Sequence, residues 1–264
     1  MLLIFYISKE KCKKEMLIMT ENRANIWITL ILLTAFCLTG CSKQPIKNGT
    51  ELIYKADLSE KDPSQTDAQV MTDIKSVVES RLHSLGMSNA VVQILANSEI
   101  QVKIPEVKNS SEVISLIGQQ GLLRFKEEQL DSHGNLLDDT NGNPIWIPAM
   151  ATGSNGVKAE LTGKYLEHNT YVETDSSGNA EVAFEWNTEG TNLFKQITAA
   201  TLNKRLGIFL DNELISAPTV QAIITNRGVI NGVTIDEART LVVLLNSNSL
   251  DVPLIIMEQN DFSS

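Results

Sequence analysis

Asp139, Asn141 and Asn143 come closest in type and spacing to a metal site, because oxygen-bearing side chains at alternate positions begin a calcium-binding loop. Such a loop needs glycine at its sixth position and glutamate at its twelfth, where this sequence has Pro144 and Met150. We therefore predict a turn that binds no metal.

Other residues with reactive side chains also lack the spacing that chemistry requires. His83, His133 and His168 show no paired spacing and have no cysteine neighbours, so they predict no zinc site. Residues 152–156, TGSNG, place glycines near a serine without the G-x-S-x-G spacing of a hydrolase nucleophile. The carboxylates fall on polar faces or in turns. We predict no catalytic residue, no metal, no cofactor and no enzymatic activity.

Cys41 has the surroundings of a modification site. Residues 26–38, IWITLILLTAFCL, form a mostly apolar run that suits a signal-peptide core. The run is short for a bilayer-spanning helix, which needs about 20 residues. It ends in Leu38-Thr39-Gly40-Cys41, which resembles a bacterial lipobox, where a peptidase cuts before a cysteine that carries a diacylglyceryl group. An ordinary N-terminal membrane anchor with a chance cysteine is the alternative.

These features predict a signal peptide over residues 1–40 and a mature chain lipidated at Cys41, although Met16 or Met19 is an alternative start. The lipid would hold the chain at the extracytoplasmic face of a bacterial membrane. Cleavage would also remove Cys12 and Cys37, so no disulfide is expected.

Composition restricts the partners of the folded part. With 42% hydrophobic and 20% charged residues, the 264-residue chain is apolar enough to fold around a core. Its net charge is −10, and no basic stripe with interleaved aromatic residues is present. Nucleic acid is therefore not a predicted partner.

Hydrophobic periodicity predicts an α+β fold that begins after a tether at residues 41–50. Its first elements are a strand at 52–56, a helix at 67–85, a hairpin around residues 96–98, a helix from 110 or 111 to 118, and a strand at 122–126. This order is that of a ferredoxin-like split unit.

The second half begins with a segment at residues 129–156 that is rich in turn-forming residues. The elements predicted beyond it are strands at 170–173 and 181–186, a helix from 188 or 189 to 202, a hairpin at 206–220 with its turn at Asp211-Asn212, a strand at 229–233, a helix at 235–245 and a last strand at 253–258. The last strand is predicted to return to the first sheet. Judged from its residues alone, the hairpin consists of buried strands joined by a turn, and no ligand is expected at its tip.

A series of short motifs resembles the first periplasmic domain of SecD, a bacterial protein-export subunit. The motifs are Arg81-Leu82, Ile104-Pro105, Asn187-Thr-Glu-Gly190, Leu206-Gly-Ile-Phe-Leu-Asp211, Ile215-Ser-Ala-Pro218, Ile230-Asn-Gly232 and Val252-Pro-Leu254. Together they cover about residues 50–258. The resemblance implies a discontinuous ferredoxin-like base subdomain, residues 50–126 and 248–264, with an α+β head subdomain inserted at residues 127–247.

The sequence departs from the SecD pattern in two places. SecD proteins continue into a bundle of membrane helices associated with proton coupling and SecF pairing, whereas this sequence stops at Ser264, so we expect no such bundle. Residues 246–254, NSNSLDVPL, replace a family segment like R-S-G-A-L-P-x-P-L.

Two functional hypotheses follow. In the first, a lipid-anchored module passively binds unfolded or translocating secretory chains, or Sec translocase subunits, through apolar surface on the head at residues 157–245. In the second, an envelope lipoprotein reuses the domain for an unrelated protein interaction.

Overall fold

The first sheet is built from both ends of the part of the chain that is described. The computed structural model describes residues 46–263, so the predicted signal peptide, Cys41 and residues 42–45 lie outside the described residues. Strands β1 (Asn48–Ala56), β2 (Val91–Ile94), β3 (Glu99–Pro105) and β13 (Leu254–Ser263) form an antiparallel sheet in the order β13-β1-β3-β2. The prediction that the last strand returns to the first sheet is confirmed.

Two helices cover one face of this sheet. Helix α1 (Asp67–Ser84) begins with a capping box in which Thr66 and Gln69 satisfy each other's backbone N–H groups. Helix α2 is Ser110–Gly118. Their apolar faces pack on alternate residues of β1 and β3 to form a first core, and the Tyr54 hydroxyl donates to the carbonyl of Ile114 at 3.1 Å. Burial raises the pKa of Tyr54.

The predicted strand at residues 122–126 exists but belongs to a different sheet. Strand β4 (Leu123–Glu128) pairs with β5 (Trp146–Pro148) and β10 (Leu206–Leu210), and β11 (Glu213–Ser216) completes the order β11-β10-β4-β5. The prediction that this strand closes the ferredoxin-like unit is therefore wrong. β13 takes that place, giving the 4-1-3-2 strand order of the fold after an insertion of more than a hundred residues.

Two further sheets and two helices complete the insertion. Strands β8 (Tyr171–Thr174), β9 (Ala180–Glu185) and β12 (Arg227–Ile230) form a sheet in the order β12-β9-β8, and β6 (Met150–Thr152) pairs with β7 (Lys158–Glu160). Helices α3 (Thr188–Ala200) and α4 (Ile235–Asn246) pack with these sheets around a second core. Single 3₁₀ turns lie at Leu58–Glu60 and Gly163–Tyr165.

A turn of sequence D-x-x-G-N occurs three times, at residues 131–135, 139–143 and 175–179. In each, one aspartate oxygen accepts the backbone N–H groups two and four residues later, and the glycine has positive φ. The asparagine side chain four residues later also donates to the carboxylate, and these side-chain and backbone hydrogen bonds together lower the pKa of each aspartate. The carboxylate of Asp139, whose spacing resembles that of a calcium ligand, thus accepts hydrogen bonds from the backbone of its own turn.

The junction between the two cores contains a buried arginine. Arg81 of α1 has no exposed surface, and its guanidinium donates to Ser247 Oγ and to five backbone carbonyls. Two of these carbonyls lie at the C-terminal end of α2 and three on the segments that link the cores: Leu116, Ile117, Gln119, Gln120 and Asn248. Burial lowers the pKa of Arg81 to about 10, partly opposed by Asp211, so the side chain stays charged at neutral pH.

The tip of the hairpin formed by β10 and β11 reaches the same junction. Asp211 and Asn212 both have positive φ, as a tight two-residue turn requires. The Asp211 carboxylate accepts the backbone N–H groups of Gly121 and Leu122 at 3.0 and 2.7 Å. The tip therefore binds the chain segment that enters the second core.

Within residues 46–263, no helix combines the length and the apolar character needed to cross a bilayer.

Candidate functional site

An apolar groove of about 860 Å³ opens beside the second core. It lies between β12 on one side and residues 218–224 on the other, with α3, β4 and β10 beneath. Its apolar lining includes Phe125, Phe184, Phe194, Leu206, Ile208, Val220 and Ile224. Concave apolar surfaces of this size are the usual form of ligand sites in proteins.

Three aromatic rings form the floor, those of Phe125, Phe184 and Phe194, and Trp186 packs against all three without lining the groove. The centroids of the four rings are 5.2 to 6.5 Å apart, and several pairs meet edge to face. This geometry is the favourable one for aromatic pairs. The floor is thus set by tight packing, and a ligand would meet rings that are already in place.

Gly228 of β12 allows Phe184 to lie at the surface of the groove. A Cβ atom at position 228 would stand 2.4 Å from Cζ of Phe184, closer than any real contact. Any side chain here would displace the ring. The glycine therefore determines the depth of the groove at this point.

The wall at residues 218–224 is an irregular segment held by hydrogen bonds. Buried Thr198 of α3 accepts the backbone N–H of Ile224 at 3.0 Å through its hydroxyl oxygen. Val220 exchanges backbone hydrogen bonds with residues 203 and 204, and the carbonyl of Pro218 accepts the N–H of Leu206. These bonds fix the wall before any ligand arrives.

Charge is nearly absent from the groove. Among the described residues that line it, only Glu173 and Arg227 are charged, and Arg227 Nη2 lies 2.8 Å from both carboxylate oxygens of Glu173. Their hydrogen bond and mutual attraction raise the pKa of Arg227. Because the two charges neutralise each other at the rim, the groove favours uncharged apolar groups.

A second cleft, of about 270 Å³, lies at the junction of the cores and has a different character. Asp73, Lys164 and Asp251 are among its lining residues. It is smaller and more polar, and no group of three or more metal-ligating side chains occurs anywhere in residues 46–263. The apolar groove is therefore the candidate site.

The sequence placed the apolar binding surface in residues 157–245, and the groove lies there apart from Phe125. The hairpin contributes Leu206, Ile208 and Pro218 to the groove, whereas its tip lies at the junction. His83, His133 and His168 do not line the groove. Sequence reasoning missed Thr198 and Gly228. The Arg-Gly pair at the start of β12 was the available signal, since a glycine within a strand often marks a close approach.

Two family models match adjacent parts of this chain. The model described as "SecDF, P1 head subdomain" matches residues 149–252, and that described as "Protein translocase subunit SecDF, P1 domain, N-terminal" matches residues 71–130. The groove falls almost entirely within the first match.

Among curated relatives, the protein translocase subunit SecD of Dehalococcoides mccartyi (strain VS) is 36% identical over 216 residues, covering 79% of this chain and 47% of the relative. SecD of Leptotrichia buccalis is 28% identical over 240 residues, covering 88% of this chain and 52% of the relative. The chain thus spans about half the length of these relatives.

Two solved structures share the fold. A crystal structure of SecDF in a super-membrane-facing form has a TM-score of 0.64 at 23% identity, covering 90% of this chain and 35% of that one. A structure of "a membrane component SecDF that enhances protein export" has a TM-score of 0.60 at 24% identity, covering 79% of this chain and 98% of that one.

Proposed function

Because this chain carries a P1 domain of the SecD family, we propose that it is a lipid-anchored, extracytoplasmic binding module that acts in or near protein export. It binds unfolded or translocating secretory chains, without enzymatic chemistry, in the apolar groove. The observation that carries this proposal is the groove itself, which is preformed, open and almost free of charge.

An unfolded secretory chain differs from its folded form mainly in the apolar side chains that it exposes. A groove with an aromatic floor removes such side chains from water, gaining about 25 cal/mol per Å² of apolar surface. Because Glu173 and Arg227 neutralise each other at the rim, the groove does not select for charge in the bound segment. Recognition therefore depends on exposed apolar surface. Release needs no chemical step, since the binding is at equilibrium.

We further propose a base subdomain and a head subdomain corresponding to the two cores. The base comprises β1, α1, β2, β3, α2 and β13, and the head comprises the elements from β4 to α4. In this proposal the first boundary lies in the link at residues 119–122 and not at residue 126, a choice supported by the pairing of β4 with β10. The base would then carry the head on the two linking segments that Arg81 binds.

Val229→Glu should weaken binding of an unfolded secretory precursor at least about tenfold, since it places a charge in the apolar groove. Val229 is 38% exposed, so the fold should tolerate the change. The matched control is Val157→Glu, which adds the same charge at an exposed turn outside the groove lining. Affinity is measured by fluorescence anisotropy for the unfolded precursor and for the same protein folded.

Wild type should prefer the unfolded precursor, and Val157→Glu should retain that preference. A pull-down of the lipidated protein from membranes should recover secretory precursors or translocase components. If wild type binds neither form and no translocase component is recovered, the envelope lipoprotein with an unrelated partner is the better hypothesis.

Cys41→Ala tests the anchor. The lipobox resemblance at Leu38 to Cys41 supports acylation of this cysteine, so the variant should incorporate no labelled palmitate and should keep its N-terminal segment. Labelling in cells followed by immunoprecipitation measures both effects, and Cys37→Ala is the matched control, expected to label normally. Palmitate on the Cys41→Ala chain would contradict the proposed anchor.

A further inference from the structure

β13 is a long edge strand with little of the protection that edges usually have. It lies at the end of the sheet order, has ten residues, and contains no lysine, arginine or proline. Ile255, Ile256 and Met257 are 53%, 46% and 54% exposed. Edge strands are normally kept from pairing by charged side chains, above all lysine, by proline or by bulges. Here the protective features are a single register shift near Met257 and two carboxylates, Glu258 and Asp261, both C-terminal to the exposed apolar residues.

The unpaired backbone groups of β13 can be assigned from the hydrogen bonds of β1. The backbone N–H of Ala56 donates to the carbonyl of Ser98, and the carbonyl of Asn48 accepts the N–H of Glu106. The backbone N–H and C=O groups of the even-numbered residues of β1 therefore point toward β3. Antiparallel strands alternate the direction of their backbone bonds, and Asp57 accordingly donates to Pro253 on the other side.

Ile256, Gln259 and Asp261 lie opposite the even-numbered residues Tyr54, Leu52 and Thr50. Their N–H and C=O groups therefore point away from β1. Within residues 46–263 no strand pairs with that side of β13. The edge offers a row of backbone donors and acceptors that could receive one more strand.

The order of side chains along β13 indicates which strand fits. The exposed apolar residues 255–257 come first, and Glu258 and Asp261 follow. Glu258 makes no ion pair with another described residue, whereas Asp261 accepts a hydrogen bond from Thr50 at 2.7 Å. An antiparallel partner presents its N-terminal half to the acidic residues and its C-terminal half to the apolar ones.

We infer that the free edge of β13 binds an extended segment of a secretory precursor as an added antiparallel strand, and that it selects segments with basic residues preceding an apolar run. This order of charge and hydrophobicity is that of the N-terminal signal on exported proteins. The inference rests on the proposed function and names a substrate segment and a second surface for it.

A second copy of this chain fits the edge less well. Antiparallel pairing of two β13 strands would place residues 255–257 of each copy opposite the acidic half of the other. Such pairing sets apolar side chains against carboxylates and brings no cation to Glu258. Charge complementarity therefore favours the basic and apolar segment over self-association.

The test uses the full-length chain in lipid nanodiscs and two labelled peptides of identical composition. One has lysines followed by an apolar run, and the other has the same residues in reverse order. The first should bind about fivefold more tightly, since it alone sets basic residues opposite Glu258 and Asp261 and apolar residues opposite residues 255–257. The amide protons of Ile256, Gln259 and Asp261 should exchange more slowly when it is bound.

Gln259→Pro removes one outward N–H without breaking the ladder to β1, because proline is tolerated where the donor faces solvent. It should abolish the preference between the peptides, and Gln259→Thr, which keeps the N–H, should retain it. Equal affinity for both peptides, protection confined to other residues, or an unchanged preference in Gln259→Pro would overturn the inference. So would a dimer, seen by light scattering, that Gln259→Pro dissociates.

Failure of this inference can be distinguished from failure of the proposed function. If only the groove binds, Val229→Glu weakens precursor binding while Gln259→Pro leaves it unchanged. If neither variant alters precursor binding and wild type does not prefer unfolded chains, the proposed function fails as well.

Discussion

Replacing Arg81 with methionine is expected to lower the free energy of unfolding by about 3–5 kcal/mol, because several buried acceptors would lose their shared donor at once. The guanidinium donates to five backbone carbonyls and one hydroxyl. Methionine fills much of the same space but donates nothing. The carbonyls would then be left without these donors, and each such loss costs about 1–3 kcal/mol unless water enters.

Urea denaturation followed by circular dichroism measures this effect, and the melting temperature should fall by about 10 °C for a domain of this size. The matched control on the same helix is Lys75→Met, which removes a half-exposed cation and should change stability by less than about 0.5 kcal/mol. Arg81→Lys should give an intermediate loss, because one ammonium cannot reach all six acceptors. A loss below about 1 kcal/mol in Arg81→Met would show that the junction does not depend on the guanidinium.

Local patterns predicted most of the elements because their cause is local. Val70, Ile74, Val77 and Val78 lie on one face at helical spacing, and all four are buried against the first sheet. The positions of both hairpins, around residues 96–98 and at Asp211-Asn212, followed from turn-forming residues between alternating runs.

The sheet to which β4 belongs could not be predicted in this way. Leu123 and Phe125 are buried, and their alternation suits either sheet. The choice depends on pairing with β10, about eighty residues later in the chain. A strand's own sequence specifies which face is buried, and carries little information about which strand lies beside it.

The candidate groove was only partly predictable for a related reason. That the head carries apolar binding surface followed from composition and from the resemblance to SecD. The shape depends on contacts such as Thr198 with Ile224 and Gly228 with Phe184, which join residues 26 and 44 positions apart.

The role of Arg81 at the junction between the two cores was not predicted. In the sequence, Arg81 is one polar position on an apolar helix face, and its acceptors are backbone carbonyls, which any sequence supplies.

A chain that ends at Asn246 is expected to lose at least about 5 kcal/mol of stability in the first core. It lacks β13, and with it the whole ladder on one side of β1. It also lacks Leu250 and Val252, which are buried in that core and contribute about 1.5–3 kcal/mol each. Ser247 and Asn248, two of the groups that bind Arg81, are removed as well.

The second core keeps all its elements in this truncated chain, since they lie between β4 and α4. We therefore expect hydrogen exchange to accelerate strongly at the amides of β1 and β3 and much less at those of β9 and β10, alongside a lower melting temperature.

The control is a chain that ends at Gln259, which keeps Leu250, Val252 and the pairing of β13 with residues 52–56 of β1. It loses four residue pairs at the far end of the ladder, among them Asp261 with Thr50, but no residue of the first core, so its melting should change by a few degrees at most. Unchanged melting of the chain that ends at Asn246 would mean that the first core is complete without β13, and the discontinuous base would then be wrong.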